Sequence, residues 1–202
     1  DAQGLVSGSF QGTVTTTPGV LGDALDFGGA GWVQGTAPAP HDPSSYTFMT
    51  WVRTAGATGL DFIMTSGDGS TPYTGSALTL NGAAISSLVE GGSSGVEVLF
   101  DGGPVCTTGW THLALTFDAG AVALYEDGAL LATTTAAFTA VVPGSNPFAV
   151  ANDPNNLTRF FTGALDETLV FDTGLSESDV ASAMSHQLCG SWAPVAAPVD
   201  DD

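Results

Sequence analysis

A histidine follows a tryptophan and a threonine at the start of the run "GWTHLALTFD", residues 109–118. His112 would act as a catalytic base only beside a nucleophile or a carboxylate, and the chain has no G-x-S-x-G elbow to supply a serine. Strand alternation places Leu113, Leu115 and Phe117 on one face and His112 on the other. The pattern predicts a packed, hydrogen-bonded strand histidine.

Two cysteines, Cys106 and Cys189, lie far apart and form no C-x-x-C or close Cys/His spacing. A zinc site of that type is therefore not expected. The pair forms either a disulfide or two buried thiols. The absence of lysine, the high Thr, Gly and Ser content and the sequon Asn156-Leu157-Thr158 are typical of an exported protein. We therefore predict a disulfide that fastens the C-terminal segment to the domain.

The charge of the chain is strongly one-sided. It has 21 acidic residues and two basic ones, Arg53 and Arg159, for a net charge of −19. Nucleic acid and anionic membrane surfaces are excluded as partners, since both attract basic groups. The carboxylates instead suit bound calcium, a salty environment or simple solubility. No run reaches the ~20 apolar residues of a membrane span, and the first residues lack signal-peptide features, so any signal is expected to have been removed.

The elements that must position these residues are short strands. Glycine and proline punctuate runs of period-two alternation along a chain of one-domain length. "AVALYEDGALLATT" predicts a hairpin in which Asp127 and Gly128 form a type I′ turn. The twelve predicted strands are "DALDF", "GWVQG", "YTFMTWVRT", "GLDFIMTS", "SALTLNG", "AAISSLVE", "GVEVLF", "THLALTFD", "AVALYEDG", "ALLATTT", "PFAVAN" and "GALDETLVFD".

One short helix is predicted near the C-terminus, in "LSESDVASAMSHQL". Ser176 is its expected N-cap, with Asp179 at the capping-box position. Val180, Met184 and Leu188 form one apolar stripe. The Pro/Ala-rich tail that follows ends in acids and is interpreted as a linker or a disordered end. We therefore divide the chain into a domain over residues 1–190 and a tail over residues 191–202.

Four stretches resemble a known family in order and spacing. They are "GDALDFGGAGWVQG", "FMTWVRT", "GWTHLALTFDAGAVALYEDGALLAT" and "RFFTGALDETLVFDTGLSESDV". Over Asp1 to Leu188 the chain is similar to the laminin-G-like, concanavalin A-like jelly-roll domains of exported bacterial proteins. The resemblance implies an all-β, two-sheet antiparallel jelly-roll sandwich in which His112 is structural. Family members usually begin with a further strand, so we expect another segment, such as Trp192 to Val199, to fill that edge.

The resemblance includes glucanases, which carry E-x-D-x-x-E or E-x-D-x-E on one strand. No such run occurs here. Glu126 and Asp127 lie at a predicted turn, and the neighbours Asp166 and Glu167 point to opposite faces of a strand. We therefore predict that the chain is not an enzyme.

The same resemblance favours an extracellular or cell-surface binding or adhesion module. Loops of such domains meet carbohydrate or a surface protein through aromatic rings and Asn or Asp side chains. Trp32 is also compatible with a place in the core, and clusters of Asn, Asp and Pro occur in any turn. The alternative function is a structural subunit of a surface fibre, layer or adhesin that assembles through strand edges. The candidate ligand-binding residues are Trp32, Tyr73, Asn152, Asp153, Asn155 and Asn156.

A structural calcium ion is the one cofactor that the resemblance implies. In related jelly rolls the aspartate of the C-terminal G-x-[IL]-D-[ED] strand binds Ca²⁺ with backbone carbonyls near the N-terminal turn, and Asp166 matches it. The Gly28 carbonyl is the expected partner, with Asp26 and Asp1 as weaker candidates. The alternative is that Asp166 caps a turn or accepts backbone hydrogen bonds. Calcium takes six to eight hard oxygen ligands, whereas three scattered histidines do not indicate zinc.

Overall fold

The structure is a computed structural model, and it describes residues 7–36, 41–54, 56, 59–67, 73–82, 84–92, 95–100 and 109–189. These residues form two antiparallel sheets of seven strands each and one helix. The all-β sandwich is therefore confirmed, and every one of the twelve predicted runs contains a strand. Among the described residues, no helix has the length and apolar character needed to cross a membrane.

Sheet A combines three consecutive strands with strands from other parts of the chain. Its spatial order is β1 (Gly8–Gln11), β4 (Trp32–Gly35), β13 (Ala149–Val150), β6 (Leu60–Ser66), β7 (Tyr73–Asn81), β8 (Ala84–Gly92) and β9 (Gly95–Phe100). β6, β7 and β8 are consecutive in the chain and form a meander. β13 pairs with β4 on one side and with β6 on the other, so a segment from late in the chain joins two early strands.

Sheet B is built around the longest strand. Its spatial order is β12 (Ala129–Thr135), β11 (Ala121–Glu126), β10 (Thr111–Asp118), β5 (Ser45–Thr54), β14 (Gly163–Phe171), β3 (Asp23–Asp26) and β2 (Thr15–Pro18). β5 pairs along nearly its whole length with β10 and with β14, and both neighbours come from much later in the chain. Such pairings between distant segments are what a jelly roll requires.

The core lies between the two sheets. In β10, Leu113, Leu115 and Phe117 are fully buried, as the alternation predicted. The register sets Leu115 opposite Phe48 and Phe117 opposite Tyr46 on β5. Burial of each such side chain contributes roughly 1.5–3 kcal/mol to folding. The core therefore determines which face of each strand points away from the sandwich interior.

The hairpin between β11 and β12 turns at the predicted residues. Asp127 and Gly128 both have positive φ, at 48° and 81°. The Asp127 carboxylate accepts a hydrogen bond from the His112 backbone N–H at 2.9 Å, and the Asp127 N–H donates to the His112 carbonyl at 2.8 Å. The turn is thus tied to the head of β10.

Helix α1 (Glu177–Cys189) covers the outer face of sheet B. Its capping box is confirmed, since the Asp179 N–H donates to Ser176 Oγ at 3.3 Å and the Ser176 N–H donates to Asp179 Oδ2 at 3.4 Å. Val180 and Ala183 pack against three residues of sheet B, which are Met49, Ala114 and Tyr125. One face of the sandwich is therefore occupied by the protein itself.

Two strands were not predicted from the sequence. β1 reads GSFQ and β2 reads TTTP, and both are four residues long and mostly exposed. They form the outermost strands of sheet A and sheet B respectively, so neither shows an apolar alternation. The tail over residues 191–202, and with it the suggested edge segment Trp192 to Val199, lies outside the described residues.

Candidate functional site

The outer face of sheet A carries polar side chains that are nevertheless buried. Leu78 and Leu80 of β7 belong to the core, so Ala77 and Thr79 point to the opposite, outer face. Outer-face positions on the neighbouring strands follow from the register. They are Thr65 on β6 opposite Ala77, Ser86 on β8 opposite Thr79, and Glu90 on β8 opposite Gly75. Each is less than a tenth exposed.

A loop after β13 brings two further polar residues to this face. Ala151 has a φ of 70°, which turns the chain out of the sheet. Its N–H still donates to the Ile63 carbonyl at 2.8 Å. The Thr65 hydroxyl then donates to the carbonyl of Asn152 at 3.0 Å. Asn152 and Asp153 are therefore held beside the outer face, and both are almost fully buried.

Asp153 forms an ion pair that fixes this loop. Arg159 Nη1 donates to Asp153 Oδ2 at 3.2 Å, and the Asn155 N–H donates to Asp153 Oδ1 at 3.0 Å. The same guanidinium lies over the ring of Phe62, 5.4 Å from its centroid. Burial raises the pKa of the Asp153 carboxyl, and the bonds to Asn155 and Arg159 oppose that rise.

Glu90 is the most perturbed carboxyl group at this face. Burial, and to a lesser extent the negative charge of Asp153, raise its pKa to about 7, although a hydrogen bond from the Thr74 backbone acts in the opposite direction. Glu90 is on β8, two strands from β6, so about 10 Å of sheet separates it from the strand beside which Asp153 lies. The carboxyl groups of Glu90 and Asp153 thus both lie at the outer face of sheet A.

Several polar atoms at this face have no hydrogen-bond partner among the described residues. Both amide atoms of Asn152, Nδ2 and Oδ1, are buried and unpartnered, as is the hydroxyl of Thr79. A buried polar group without a partner costs about 1–3 kcal/mol, so such groups are rare unless water or a ligand completes them. We call Thr65, Thr79, Glu90, Asn152 and Asp153 the outer-face cluster.

The other predicted ligand residues do not all join this cluster. Trp32 is half-buried and packs against the core, which favours the structural alternative noted for it. The backbone of Tyr73 pairs with Gly92 at the end of β7. Asn155 is exposed and accepts a hydrogen bond from the side-chain amide of Asn146. The Asn156 Oδ1 accepts a hydrogen bond from the Thr158 hydroxyl at 2.6 Å, in an Asx turn.

His112 is a packed strand residue, as predicted, on the outer face of sheet B. It is fully buried and meets the ring of Trp51 edge-on at 5.2 Å. The expected hydrogen bonding does not involve the ring, because neither ring nitrogen has a partner within the described ranges. The backbone groups of His112 take the bonds to Asp127 instead. Burial lowers the pKa of His112 to about 4, so the ring is neutral at neutral pH.

Asp166 holds the turn between β2 and β3. Its Oδ2 accepts the N–H groups of Val20 at 2.7 Å and Leu21 at 3.1 Å, and its Oδ1 accepts the N–H of Glu167 at 3.0 Å. Asp26 Oδ1 accepts the N–H of Gly28 at 3.1 Å.

The donor set around Asp166 therefore consists of backbone N–H groups, whereas calcium needs oxygen ligands. Among the described residues, no group of three or more His, Cys, Asp or Glu side chains is placed to hold a metal ion. Asp1 lies outside the described residues. Calcium at Asp166 stays a prediction.

The predicted disulfide also stays a prediction. Cys189 is the last residue of α1, whereas Cys106 belongs to residues 101–108, outside the described part of the chain.

Glu90, Thr65, Thr79 and Arg159 were missed by sequence reasoning. Glu90 is a lone acid in the otherwise neutral run "AISSLVEGG", and Arg159 is one of only two basic residues in the chain. Both features could have marked Glu90 and Arg159 as candidate site residues. Which face of sheet A Thr65 and Thr79 occupy depends on strand register, and the sequence does not reveal that register.

The comparisons with known proteins agree with this architecture. The family described as the concanavalin A-like lectin/glucanases superfamily (Laminin_G_3) matches residues 27–181. That range includes the strands of the outer-face cluster and the loop after β13. No curated protein has a sequence that matches the chain significantly.

Solved structures share the fold at low sequence identity. Domain 4 of AbnA, a GH43 extracellular arabinanase from Geobacillus stearothermophilus solved with arabinotriose, is 23% identical, with a TM-score of 0.73 and 90% of each chain covered. The binding domain of botulinum neurotoxin DC, solved with rat synaptotagmin II, is 12% identical, with a TM-score of 0.67 over 90% of this chain and 47% of that chain.

The binding domain of Paraclostridial Mosquitocidal Protein 1 is 14% identical, with a TM-score of 0.67 over 87% of this chain and 46% of that chain. The chain thus spans about half the length of the two toxin domains. At these identities the likeness shows the fold alone.

Proposed function

This chain belongs to the concanavalin A-like lectin/glucanase superfamily, and we propose that it is a non-catalytic, extracellular module that binds carbohydrate at the outer-face cluster. The observation that carries the proposal is the buried, unpartnered side-chain amide of Asn152. An amide offers two donors and one acceptor oxygen, which match the hydroxyl groups of a sugar. The bound arabinotriose of the arabinanase domain supports the choice of carbohydrate.

The location of the cluster supports the same function. The outer face of sheet B is covered by α1, so that face is filled by the protein's own helix. The outer face of sheet A instead gathers hydroxyl, amide and carboxyl groups. Arg159, whose side chain is 35% exposed, connects the buried cluster with solvent.

The proposal that the module is non-catalytic follows from the engagement of its carboxyl groups. A glycosidase needs one carboxylate free to attack or to activate water and one carboxylic acid to protonate the leaving group. Asp153 is committed to Arg159 and to the Asn155 N–H. Glu90 and Asp153 also lie on different elements rather than on one strand. The arrangement suits recognition better than bond cleavage.

Oligosaccharide binding by an Asn152→Ala variant tests the proposed function. A glycan array with the wild-type chain should show binding to a defined oligosaccharide class, and Asn152→Ala should weaken that binding roughly tenfold or more, since one or two hydrogen bonds are lost. Asn81→Ala, at an exposed position at the end of β7, is the matched control and should bind as the wild type does. An array without any bound glycan would contradict the proposal.

Assembly through strand edges is the second candidate function. Phe10 on β1, the outermost strand of sheet A, is 63% exposed, which is unusual for a large apolar residue on an unpaired edge. Pairing of this edge with another copy would cover it. Size-exclusion chromatography at increasing concentration tests this function, and Phe10→Lys should abolish any assembly. A monomer at all concentrations would count against it.

A further inference from the structure

The outer-face cluster holds two carboxyl groups, and among the described residues one basic side chain, Arg159, pairs with them. Asp153 is paired with Arg159 at 3.2 Å. Arg53, the only other basic residue besides histidine, is on β5 of sheet B, where it donates to Thr17 Oγ1 at 2.9 Å and lies over the ring of Trp110. Because the whole sequence has two arginines and no lysine, no Lys or Arg is left for Glu90.

The histidines do not balance Glu90 either. His41 has both ring nitrogens engaged, with the Asp42 carbonyl and Ser66 Oγ, each at 3.0 Å. His112 is on the opposite sheet. His186 belongs to α1, which packs on sheet B. Without a bound cation the Glu90 carboxyl, whose pKa burial raises to about 7, stays largely protonated below that pH. A positive charge that ionises it would come from a ligand, since no described Lys, Arg or His side chain pairs with it.

A second observation at the same place indicates a polar ligand. Asn152, which precedes Asp153 in the chain, is fully buried, and both of its amide atoms lack a hydrogen-bond partner in the described part of the chain. An ion alone would leave the amide N–H groups unsatisfied, since they need an acceptor. A ligand that satisfies both Glu90 and Asn152 would combine a positive charge with hydroxyl or ether oxygens.

We propose, on the basis of the carbohydrate function above, that the ligand is an oligosaccharide of amino sugars with free amines. Its ammonium group lies beside Glu90 on the Asp153 side, and its hydroxyl groups bond to Asn152. An ammonium group has three donors and forms charge-assisted hydrogen bonds with carboxylates, which are about twice as strong as neutral ones. The net charge of −19 attracts such a ligand and repels sugars with carboxylate or sulfate groups.

The test compares three hexasaccharides by isothermal titration calorimetry with the full chain. They are the β-1,4-linked glucosamine hexamer, its fully N-acetylated counterpart and the neutral glucose hexamer. At about pH 7.3 a sugar amine, close in type to an α-amino group, is more than half protonated, and the Glu90 carboxyl, with a pKa of about 7, is more than half ionised. The amine hexamer should bind roughly tenfold or more tightly than either of the others, because they lack the charge-assisted bond.

Glu90→Gln provides the matched variant, since it keeps the shape of the side chain and removes its charge. It should bring the affinity for the amine hexamer down to that for the N-acetylated one. Asp118→Asn, at an exposed position at the end of β10 on sheet B, makes the same change in net charge and should leave the preference unchanged. Circular dichroism of both variants confirms the fold, and the wild-type comparison needs no variant at all.

The outcomes separate the two proposals. Equal affinity for the amine and N-acetylated hexamers would overturn the ammonium inference and leave the carbohydrate function in place. Absence of binding to all three, together with an empty glycan array, would overturn both. If a lysine-rich peptide binds in a Glu90-dependent manner and no hexamer does, the cation belongs to a protein partner, which also overturns the inference.

Discussion

At the scale of single residues, Glu90 shows how environment changes the chemistry of an ordinary side chain. A solvent-exposed glutamate is ionised at neutral pH. In Glu90, burial and the negative charge of Asp153 raise the pKa to about 7. Because the folded pKa exceeds the unfolded value, the folded state holds the proton more tightly. Its contribution to stability is complete below about pH 4.5 and is lost as pH rises through about 7.

We expect Glu90→Gln to remove this loss. The variant and the wild type should unfold at similar denaturant concentrations near pH 4, and the variant should be more stable near pH 8 by about 2 kcal/mol, allowing for partial screening by solvent. Urea melts across this pH range, with Asp118→Asn as the control, measure the difference. A constant difference between variant and wild type at all pH values would show that Glu90 is not buried as described.

His112 makes the opposite prediction. Burial lowers its pKa to about 4 from 6.5, so the unfolded chain takes up the proton first. The stability that the neutral ring contributes is present above about pH 6.5 and is lost as pH falls through about 4. His112→Phe keeps the aromatic contact with Trp51 and cannot titrate, so it should lose less stability than the wild type between those pH values.

Urea melts at several pH values check this expectation, and His112→Asn serves as a second variant if phenylalanine proves too large. Parallel acid sensitivity of the wild type and both variants would contradict it.

The residue level was the hardest to predict from the sequence. The packing of His112 followed from alternation alone, whereas its unpaired nitrogens depend on neighbours that the sequence does not name. Asn152 and Asp153 were candidates because of their type. Their partner Glu90, distant in sequence, reaches them only through the pairing of β6, β7 and β8.

At the scale of elements, Asp166 joins β14 to the turn between β2 and β3. Asp166→Ala removes the acceptor of three backbone N–H groups, so we expect a loss of about 2 kcal/mol in the free energy of unfolding. Asp166→Asn keeps one acceptor oxygen and should lose less. Position 19 has to stay a glycine, because a Cβ there would clash with Asp166 Oδ2. Thermal or urea melts measure each loss.

The same variants test the predicted calcium ion. If calcium binds at Asp166, millimolar Ca²⁺ should raise the stability of the wild type over that in EDTA, by roughly 2.7 kcal/mol at a hundredfold excess over Kd. Asp166→Ala should lose that increment in addition to its hydrogen bonds. Identical melts in calcium and EDTA for the wild type would show that the carboxylate serves the backbone alone.

Element identity was largely readable from the sequence. Alternation and the Asp127-Gly128 turn predicted the central strands, and the capping box predicted the start of α1. β1 and β2 were not predicted, because an edge strand with most of its residues exposed needs no apolar face. The order of strands within each sheet was not readable, since it depends on contacts between segments more than 100 residues apart, such as β5 and β14.

At the scale of the whole molecule, the proposed Cys106–Cys189 bond would close a long loop. On the chain-entropy model such a bond stabilises by roughly 4–5 kcal/mol. Native protein treated with an alkylating reagent without reductant should keep its mass, and reduction should lower the melting temperature. Two alkylated thiols in the native protein would rule the bond out.

The helix and the outer-face cluster occupy opposite sides of the sandwich. A chemical tether placed at Ser182, an exposed residue of α1, would therefore anchor the molecule by its back and leave sheet A turned toward the solution. A sensor chip loaded in this way would present every molecule in one orientation. Random coupling through the plentiful exposed carboxylates, by contrast, would attach some molecules with sheet A toward the chip, so the two chips should differ in active fraction.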